Sequence, residues 1–221
     1  MADILNSQQL TYLDSYIHLF KTEGTYTYRI LFLGIGFEKS EHAVEYQIIV
    51  TKSTTKIEAG KQYDVSLPWD AAKKVYTPNP DKLTIGVNDF VQWHATTTTK
   101  DALPYAIQGL DSKGAVAFDS RALGPEDVFG HFFMEPGDYN VDAGGTLAHL
   151  AVADHQKMAP AAYQAMVGAT KVMTLTKKAA GLPPGALGFV AAAAPAPVAM
   201  VAGQHMYFTV GDGTGHTVSS H

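Results

Sequence analysis

The feature that most constrains the fold of this chain is a phrase, residues 118–141, that returns in shortened form near the N-terminus. Within it, Glu-Pro-Gly at 135–137 predicts a tight turn between two strands, because proline fixes φ and glycine tolerates positive φ. Glu-Gly at 23–24 stands at the same point of the shortened copy, and His18 aligns with His131 in the preceding strand. A unit written twice predicts two copies of one β structure.

A second pair of similar segments supports the same conclusion. Residues 83–93 alternate apolar and polar positions around an Asn-Asp turn, which predicts a hairpin with one buried face. Residues 198–208 repeat this alternation, with Phe208 where Trp93 stands in the first copy. Turn chemistry alone produces similar motifs in unrelated β-sandwiches. The shared order of the copies favours a repeat.

That order defines the predicted domains. Residues 56–178 contain a complete set: the hairpin, the phrase and a closing strand. The C-terminal piece holds only a hairpin, and the N-terminal piece holds only a phrase and a closing strand. Residues 1–55 plus 182–221 are therefore predicted to form a second, split domain, circularly permuted across the chain ends. The Ala/Pro-rich stretch at 178–195 is predicted to be a linker.

Composition excludes several classes of function. The chain has 221 residues, 46% of them hydrophobic, and a net charge of −5. This charge argues against nucleic acid or an anionic membrane surface as a partner. Prolines interrupt the one long apolar stretch, so no membrane span is expected. The first residues lack the basic and apolar regions of a signal peptide. The chain contains no cysteine, which excludes disulfides and thiolate chemistry.

Taken in order, these motifs resemble the cupredoxin family, which includes plastocyanin and azurin. The resemblance rests on residues 83–93, on Phe-Asp-Ser at 118–120 and on the run from His to Tyr at 131–139. It implies an all-β fold of two cupredoxin-like Greek-key β-sandwiches, one of them assembled from the N- and C-terminal segments. It also suggests a periplasmic or extracellular location.

The resemblance implies positions for metal ligands, although a type 1 copper site needs a cysteine thiolate that the chain lacks. In the split domain the first histidine position falls on His216, and His42 stands for the second. The same first position in the complete domain falls on Tyr105. Two imidazoles and a third ligand can hold copper or zinc. The candidates for that third ligand are His221, Glu41 and Glu38.

Other polar residues have weaker assignments. His155 and Met158 resemble the last two cupredoxin ligands of the complete domain. His18 and His131 are expected to be structural, hydrogen-bonded beneath a loop. The Asp-Ser pairs at 14–15 and 119–120 align with each other and predict capped turns, since no nucleophile elbow surrounds either serine. The Gly-rich stretch at 211–215 lacks the residues of a phosphate-binding loop and predicts a hairpin loop.

Three functions remain open at the level of sequence. The first is a cupredoxin-like binding protein without type 1 copper, which holds copper or zinc through histidines. The second is a structural subunit of an oligomer or filament that contains no metal. The third is an enzyme that uses a histidine-bound metal as a Lewis acid. A homo-oligomer or a protein partner is expected.

Overall fold

The computed structural model describes residues 5–32, 44–52, 60–97, 102–143, 146–175 and 197–220. The prediction of an all-β fold is confirmed, since strands dominate the described residues. The strands are β1 (Asp14–Leu19), β2 (Gly24–Phe32), β3 (Tyr46–Thr51), β4 (Gln62–Leu67), β5 (Trp69–Asp70), β6 (Val75–Tyr76), β7 (Lys82–Gly86), β8 (Phe90–Ala95), β9 (Tyr105–Leu110), β10 (Val116–Asp119), β11 (Asp127–Phe133), β12 (Gly137–Ala143), β13 (Thr146–Ala153), β14 (Lys171–Leu175), β15 (Val198–Val201), β16 (Gln204–Val210) and β17 (Val218–Ser220). One helix, α1 (Pro160–Val167), lies between β13 and β14.

Three main sheets form the molecule. A six-stranded sheet has the order β14-β16-β11-β1-β8-β4, with β1 and β11 antiparallel at its centre. A five-stranded sheet has the order β10-β9-β2-β3-β7, and a four-stranded sheet has the order β15-β13-β12-β17. Strands β5 and β6 form a separate two-stranded sheet.

The strands before and after β10 follow one pairing scheme. β8 pairs with β1 antiparallel and with β4 parallel, as β16 pairs with β11 antiparallel and with β14 parallel. β2 pairs antiparallel with β3 and β9, and β12 pairs antiparallel with β13 and β17. β3 and β13 each pair with a parallel edge strand, β7 and β15. The two halves of the central sheet are therefore related by an approximate two-fold axis between β1 and β11.

This pairing groups the chain differently from the predicted division at 56–178. Strands β1–β3 pair with strands that follow them, β7–β9, and not with the C-terminal strands, and β4 pairs with β8. Strands β11–β13 pair in turn with β15–β17. The repeated motifs are compatible with either grouping, because each copy of the phrase can pair with either copy of the segment first seen at 83–93. The observed grouping joins neighbours in the chain.

The two ends of the described chain nevertheless meet. The backbone amides of Ser7 and Ser220 donate to the carbonyls of Val218 and Leu5, both at 2.9 Å. Ser7 Oγ also accepts from the backbone amide of Val218 at 3.0 Å.

The same side-chain contact occurs between β9 and the segment after β10. Ser120 Oγ accepts from the backbone amide of Ile107 at 3.1 Å. Ser120 thus has its structural counterpart in Ser7, whereas the sequence alignment paired it with Ser15. Ser15 and Ser120 also lie on different elements, because Ser15 belongs to β1 and Ser120 follows β10.

Aromatic side chains fill the space between the six- and five-stranded sheets. Trp93 on β8 stacks on Tyr16 of β1, with ring centroids 5.6 Å apart, and meets Tyr28 of β2 edge-on at 5.4 Å. Phe118 on β10 closes the cluster against Trp93. On the other side of the axis, Phe133 on β11 contacts Tyr139 on β12 at 5.0 Å. All belong to one buried apolar cluster.

The expectation of a hairpin at 83–93 needs correction. β7 and β8 alternate as predicted, but they join different sheets, so the segment 83–93 is an arch between layers and not a hairpin. The Ala-rich segment 148–167 holds the end of strand β13 and then α1, whose first residue is Pro160. Proline suits that first position, because its missing N–H would have no partner there. Among the described residues, no helix is long and apolar enough to cross a membrane. The predicted linker at 178–195 lies outside the described residues.

Candidate functional site

His216 occupies a defined position at one end of the central sheet. Its backbone pairs with that of Leu123, just before β11, with hydrogen bonds of 2.9 and 3.0 Å. Tyr105 pairs in the same way with Leu10, before β1. The buried His216 ring donates from Nε2 to the carbonyl of Asp212 at 2.6 Å. One ring nitrogen of His216, Nε2, therefore already has a hydrogen-bond partner within the protein.

The predicted partners of His216 lie outside the described residues. These are His42 and His221, together with Glu38 and Glu41. The strands around the connection that holds His42 end at Phe32, which pairs with Tyr105, and start again at Tyr46. Because β1 and β11 are antiparallel, the Tyr105 end and the His216 end of the sheet face opposite directions. The pairing of His216 with His42 stays a prediction.

His155 and Met158 are far from His216 along the sheet. His155 begins a short 3-10 helix after β13 and Met158 follows that helix, next to the end where Gly137 pairs with Val152. The strand of His216, β17, pairs instead with the opposite end of β12, at Ala143. Six residues of strand, roughly 20 Å, separate these ends. The described residues contain no group of three side chains placed to hold a metal.

Two buried histidine–aspartate contacts join the central strands. His131 Nδ1 donates to Asp14 Oδ1 at 2.7 Å, and His18 Nδ1 donates to Asp127 Oδ1 at the same distance. Tyr16 adds a second donor to Asp127 at 2.5 Å. Each contact crosses from β1 to β11, so these side chains connect the two halves of the sheet. This placement agrees with a structural role for both histidines.

A cleft lies at the N-terminal end of β1, on the side of the six-stranded sheet away from the aromatic core. We call it the β1 cleft, and its volume is about 270 Å³. Strand alternation turns Ser15, Gln92 and His94 outward, since their neighbours Tyr16 and Trp93 face the core. The lining residues are Tyr12, Leu13, Asp14, Ser15, Gln92, His94, Ala95, Phe132 and His205.

Two polar atoms of the β1 cleft have no hydrogen-bond partner among the described residues. They are Ser15 Oγ and His94 Nδ1, and both are buried. Ser15 and His94 are cross-strand neighbours on β1 and β8. A buried polar atom without a partner costs about 1–3 kcal/mol. Such an atom calls for a water or a ligand that the protein itself does not supply.

Asp14 is the one carboxylate among the lining residues of the β1 cleft, and its oxygens already accept hydrogen bonds. The Asp14 carboxylate accepts from His131, from the backbone amide of Thr11 at 2.7 Å and from the Thr11 hydroxyl at 2.9 Å. His205 stands at the rim, largely exposed. Partial burial and the nearby His131 lower the pKa of the His205 imidazole, so it is uncharged at neutral pH.

The β1 cleft was not predicted from the sequence. Its side chains come from β1, β8, β11 and β16, and the prediction placed these strands in two separate domains. The sequence contains one indication of the cleft. Gln92 and His94 are polar and alternate with apolar residues on a strand whose other positions are typical of a buried core. Comparison with family models, curated proteins and solved structures found no match to this chain.

Proposed function

We propose that this chain is a binding protein of cupredoxin-like β-sandwich architecture, without type 1 copper, that takes a small ligand in the β1 cleft. The observation that carries the proposal is the pair of buried, unpartnered atoms, Ser15 Oγ and His94 Nδ1, at the wall of a cleft. Ligand sites are concave and hold a few polar groups that fix orientation.

The position of the repeated motifs supports the cupredoxin-like part. Gly24 and Gly137 each begin a strand that lies between two antiparallel neighbours, β2 and β12. Tyr105 and His216 occupy matching places beside the two central strands. These equivalences favour an internal duplication.

Protein-observed NMR with a library of small fragments tests the proposal. Fragment-induced shifts are expected to concentrate on Ser15, Gln92, His94 and His205. They should be lost in His94→Ala and kept in Thr209→Ala, which changes the equivalent position at the other end of the sheet. If no fragment shifts the amides of the β1 cleft, the site is refuted.

Metal binding at His216 is a second candidate function. Its Nε2–H donates to a carbonyl, the contact that commonly orients a metal-bound imidazole through its other nitrogen. Nδ1 would be the ligating atom for copper or zinc. With no cysteine in the chain, a copper-loaded protein should show no intense blue colour.

Metal titration separates this candidate from the first. His216→Ala is expected to lower stoichiometric Cu(II) or Zn(II) binding. His149→Ala, which removes an exposed histidine of β13, serves as the control and should leave the metal content unchanged. Equal metal content in wild type and both variants would refute a site at His216.

A further inference from the structure

The chemistry of the β1 cleft indicates which ligand it takes, an inference that rests on the proposed function. We propose that the β1 cleft binds an uncharged, hydroxylated ring of the size of one monosaccharide. Four features of the cleft carry this proposal: its volume, the absence of a free charge on its wall, its mixture of ring faces and hydrogen-bonding groups, and its contrast with the other end of the sheet.

The volume sets the size. A volume of about 270 Å³ lies at the lower limit of small-molecule sites in proteins, which span roughly 300–1,000 Å³. That is enough for a single substituted ring and too little for a dinucleotide, a long peptide or a lipid chain. The cleft also suits an organic molecule better than a metal ion ligated by both His94 and His205. His94 and His205 lie three strands apart, on β8 and β16, so their backbones are separated by about 14 Å.

The residues that line the cleft favour an uncharged ligand. The titratable residues that line the cleft are Tyr12, Asp14, His94 and His205, and no lysine or arginine is among the lining residues. The Asp14 carboxylate is held by His131 and Thr11, and His131 packs behind it away from the cleft. An anion would find no lysine or arginine here, and a cation would find only the Asp14 carboxylate, which already accepts three hydrogen bonds. A neutral ligand pays the smallest desolvation cost.

The walls combine ring faces with polar groups. Phe132 and His205 contact each other with ring centroids 4.6 Å apart and form one wall. Gln92 forms part of the opposite wall, and its Oε1 accepts from Gln62, which leaves its amide N–H groups to donate. Ser15 and His94 add one hydroxyl and one imidazole nitrogen without partners. A hydroxylated ring offers an apolar face for the first wall and donors and acceptors along its edge for the second.

The opposite end of the sheet provides an internal comparison. The register there places Phe90 where His205 stands, Val128 where Ser15 stands and Thr209 where His94 stands. The backbone scheme is the same at both ends. Only the β1 end carries two imidazoles and an unpartnered hydroxyl, so these groups are not requirements of the fold.

Ligand-observed and protein-observed NMR on the full chain test the ligand class. The neutral probes are glucose, galactose, mannose and N-acetylglucosamine. The charged probes are glucuronate and glucosamine, and the flat heterocyclic probes are uracil and nicotinamide. At least one neutral sugar is expected to shift Gln92, His94 and His205 and to bind more tightly than its charged counterpart. His94→Ala should weaken this binding about tenfold, the effect of one lost hydrogen bond.

Thr209→Ala is the matched control, and it should bind the same sugar as wild type does. Ser15→Val places the residue of the other end at the floor of the cleft and should abolish binding by filling it. Tighter binding of a charged sugar or of a flat heterocycle at these residues would overturn the ligand class and leave the site in place. Failure of every sugar would also overturn it. The fragment screen, which contains no sugars, decides separately whether the cleft binds ligands at all.

Discussion

At the scale of single residues, the core contains two kinds of buried tyrosine. The hydroxyl of Tyr16 donates to Asp127 at 2.5 Å. The hydroxyl of Tyr105 lies beside the backbone of Ala95 but forms no hydrogen bond of good geometry within the described residues. A hydrogen bond to a charged group stabilises a protein by roughly 1.5–3 kcal/mol, whereas an unpartnered hydroxyl contributes nothing favourable.

Substitution by phenylalanine should separate these two cases. Tyr16→Phe is expected to lower the free energy of unfolding by about 1.5–3 kcal/mol, because Asp127 loses a donor. Tyr105→Phe should leave that free energy unchanged or raise it. Urea denaturation at pH 7 measures both variants. An equal loss in the two would contradict the assigned hydrogen bonds.

The same tyrosines predict how stability depends on alkaline pH. Burial raises the pKa of Tyr16, Tyr28 and Tyr105, and it raises the pKa of Tyr76, which is also buried, to about 12. Unfolded tyrosines ionise near pH 10. Above that pH the folded state keeps protons that the unfolded state has lost, so stability falls as pH rises. The urea midpoint should decline from about pH 10 upward, and less steeply in Tyr105→Phe. A flat midpoint up to about pH 12 would refute the assignment.

Single residues also show which features of the structure could be predicted from the sequence. The alignments of His18 with His131 and of Tyr105 with His216 correspond to matching places in the strand pairing. The sequence did not reveal the β1 cleft, because Ser15, His94 and His205 come from strands far apart in the chain. Their proximity depends on which copy of each motif pairs with which, and local patterns carry no information about that choice.

At the scale of elements, hydrophobic alternation located the strands but not their sheets. β7 and β8 both present alternate apolar residues, yet they belong to different layers. An arch and a hairpin bury the same pattern, so alternation cannot tell them apart. The Ala-rich segment of β13 forms a strand, and its alternation, with Leu150 and Val152 buried and Ala151 less so, fits that structure.

The contact between β1 and β11 predicts a non-additive pair of substitutions. His131→Leu leaves the buried Asp14 carboxylate without its hydrogen-bond donor on β11 and should cost about 3–5 kcal/mol. The double variant Asp14→Leu/His131→Leu removes both groups and should cost less than that single change. Chemical denaturation of the two single variants and the double variant completes the cycle. Additive losses would show that the two side chains do not interact.

At the scale of the whole molecule, the repeat permits two ways of grouping the strands. A phrase can pair with the hairpin before it or with the hairpin after it, and the motifs are alike in both cases. The predicted domain at 56–178 joins the phrase at 118–141 to the segment before it, whereas the sheets join each phrase to the segment that follows it. A fragment of residues 56–178 is consequently left without β1 beside β8 and without β16 beside β11, the neighbours that bury both strands.

The meeting of the chain ends predicts that the chain tolerates circular permutation. Leu5–Ser7 pair with β17, so the five residues between Ser220 and Leu5, namely His221 and residues 1–4, suffice as a connecting loop. New ends between Lys113 and Gly114 fall in an exposed turn between β9 and β10. Exposed turns are the sites where new chain ends are best tolerated. This permutant should unfold cooperatively and keep the circular dichroism spectrum of the original chain.

A control permutant opened between Tyr16 and Ile17 interrupts β1, which has a neighbour on each side, and should aggregate. An unfolded Lys113–Gly114 permutant beside a folded control would refute the pairing of the N-terminal residues with β17.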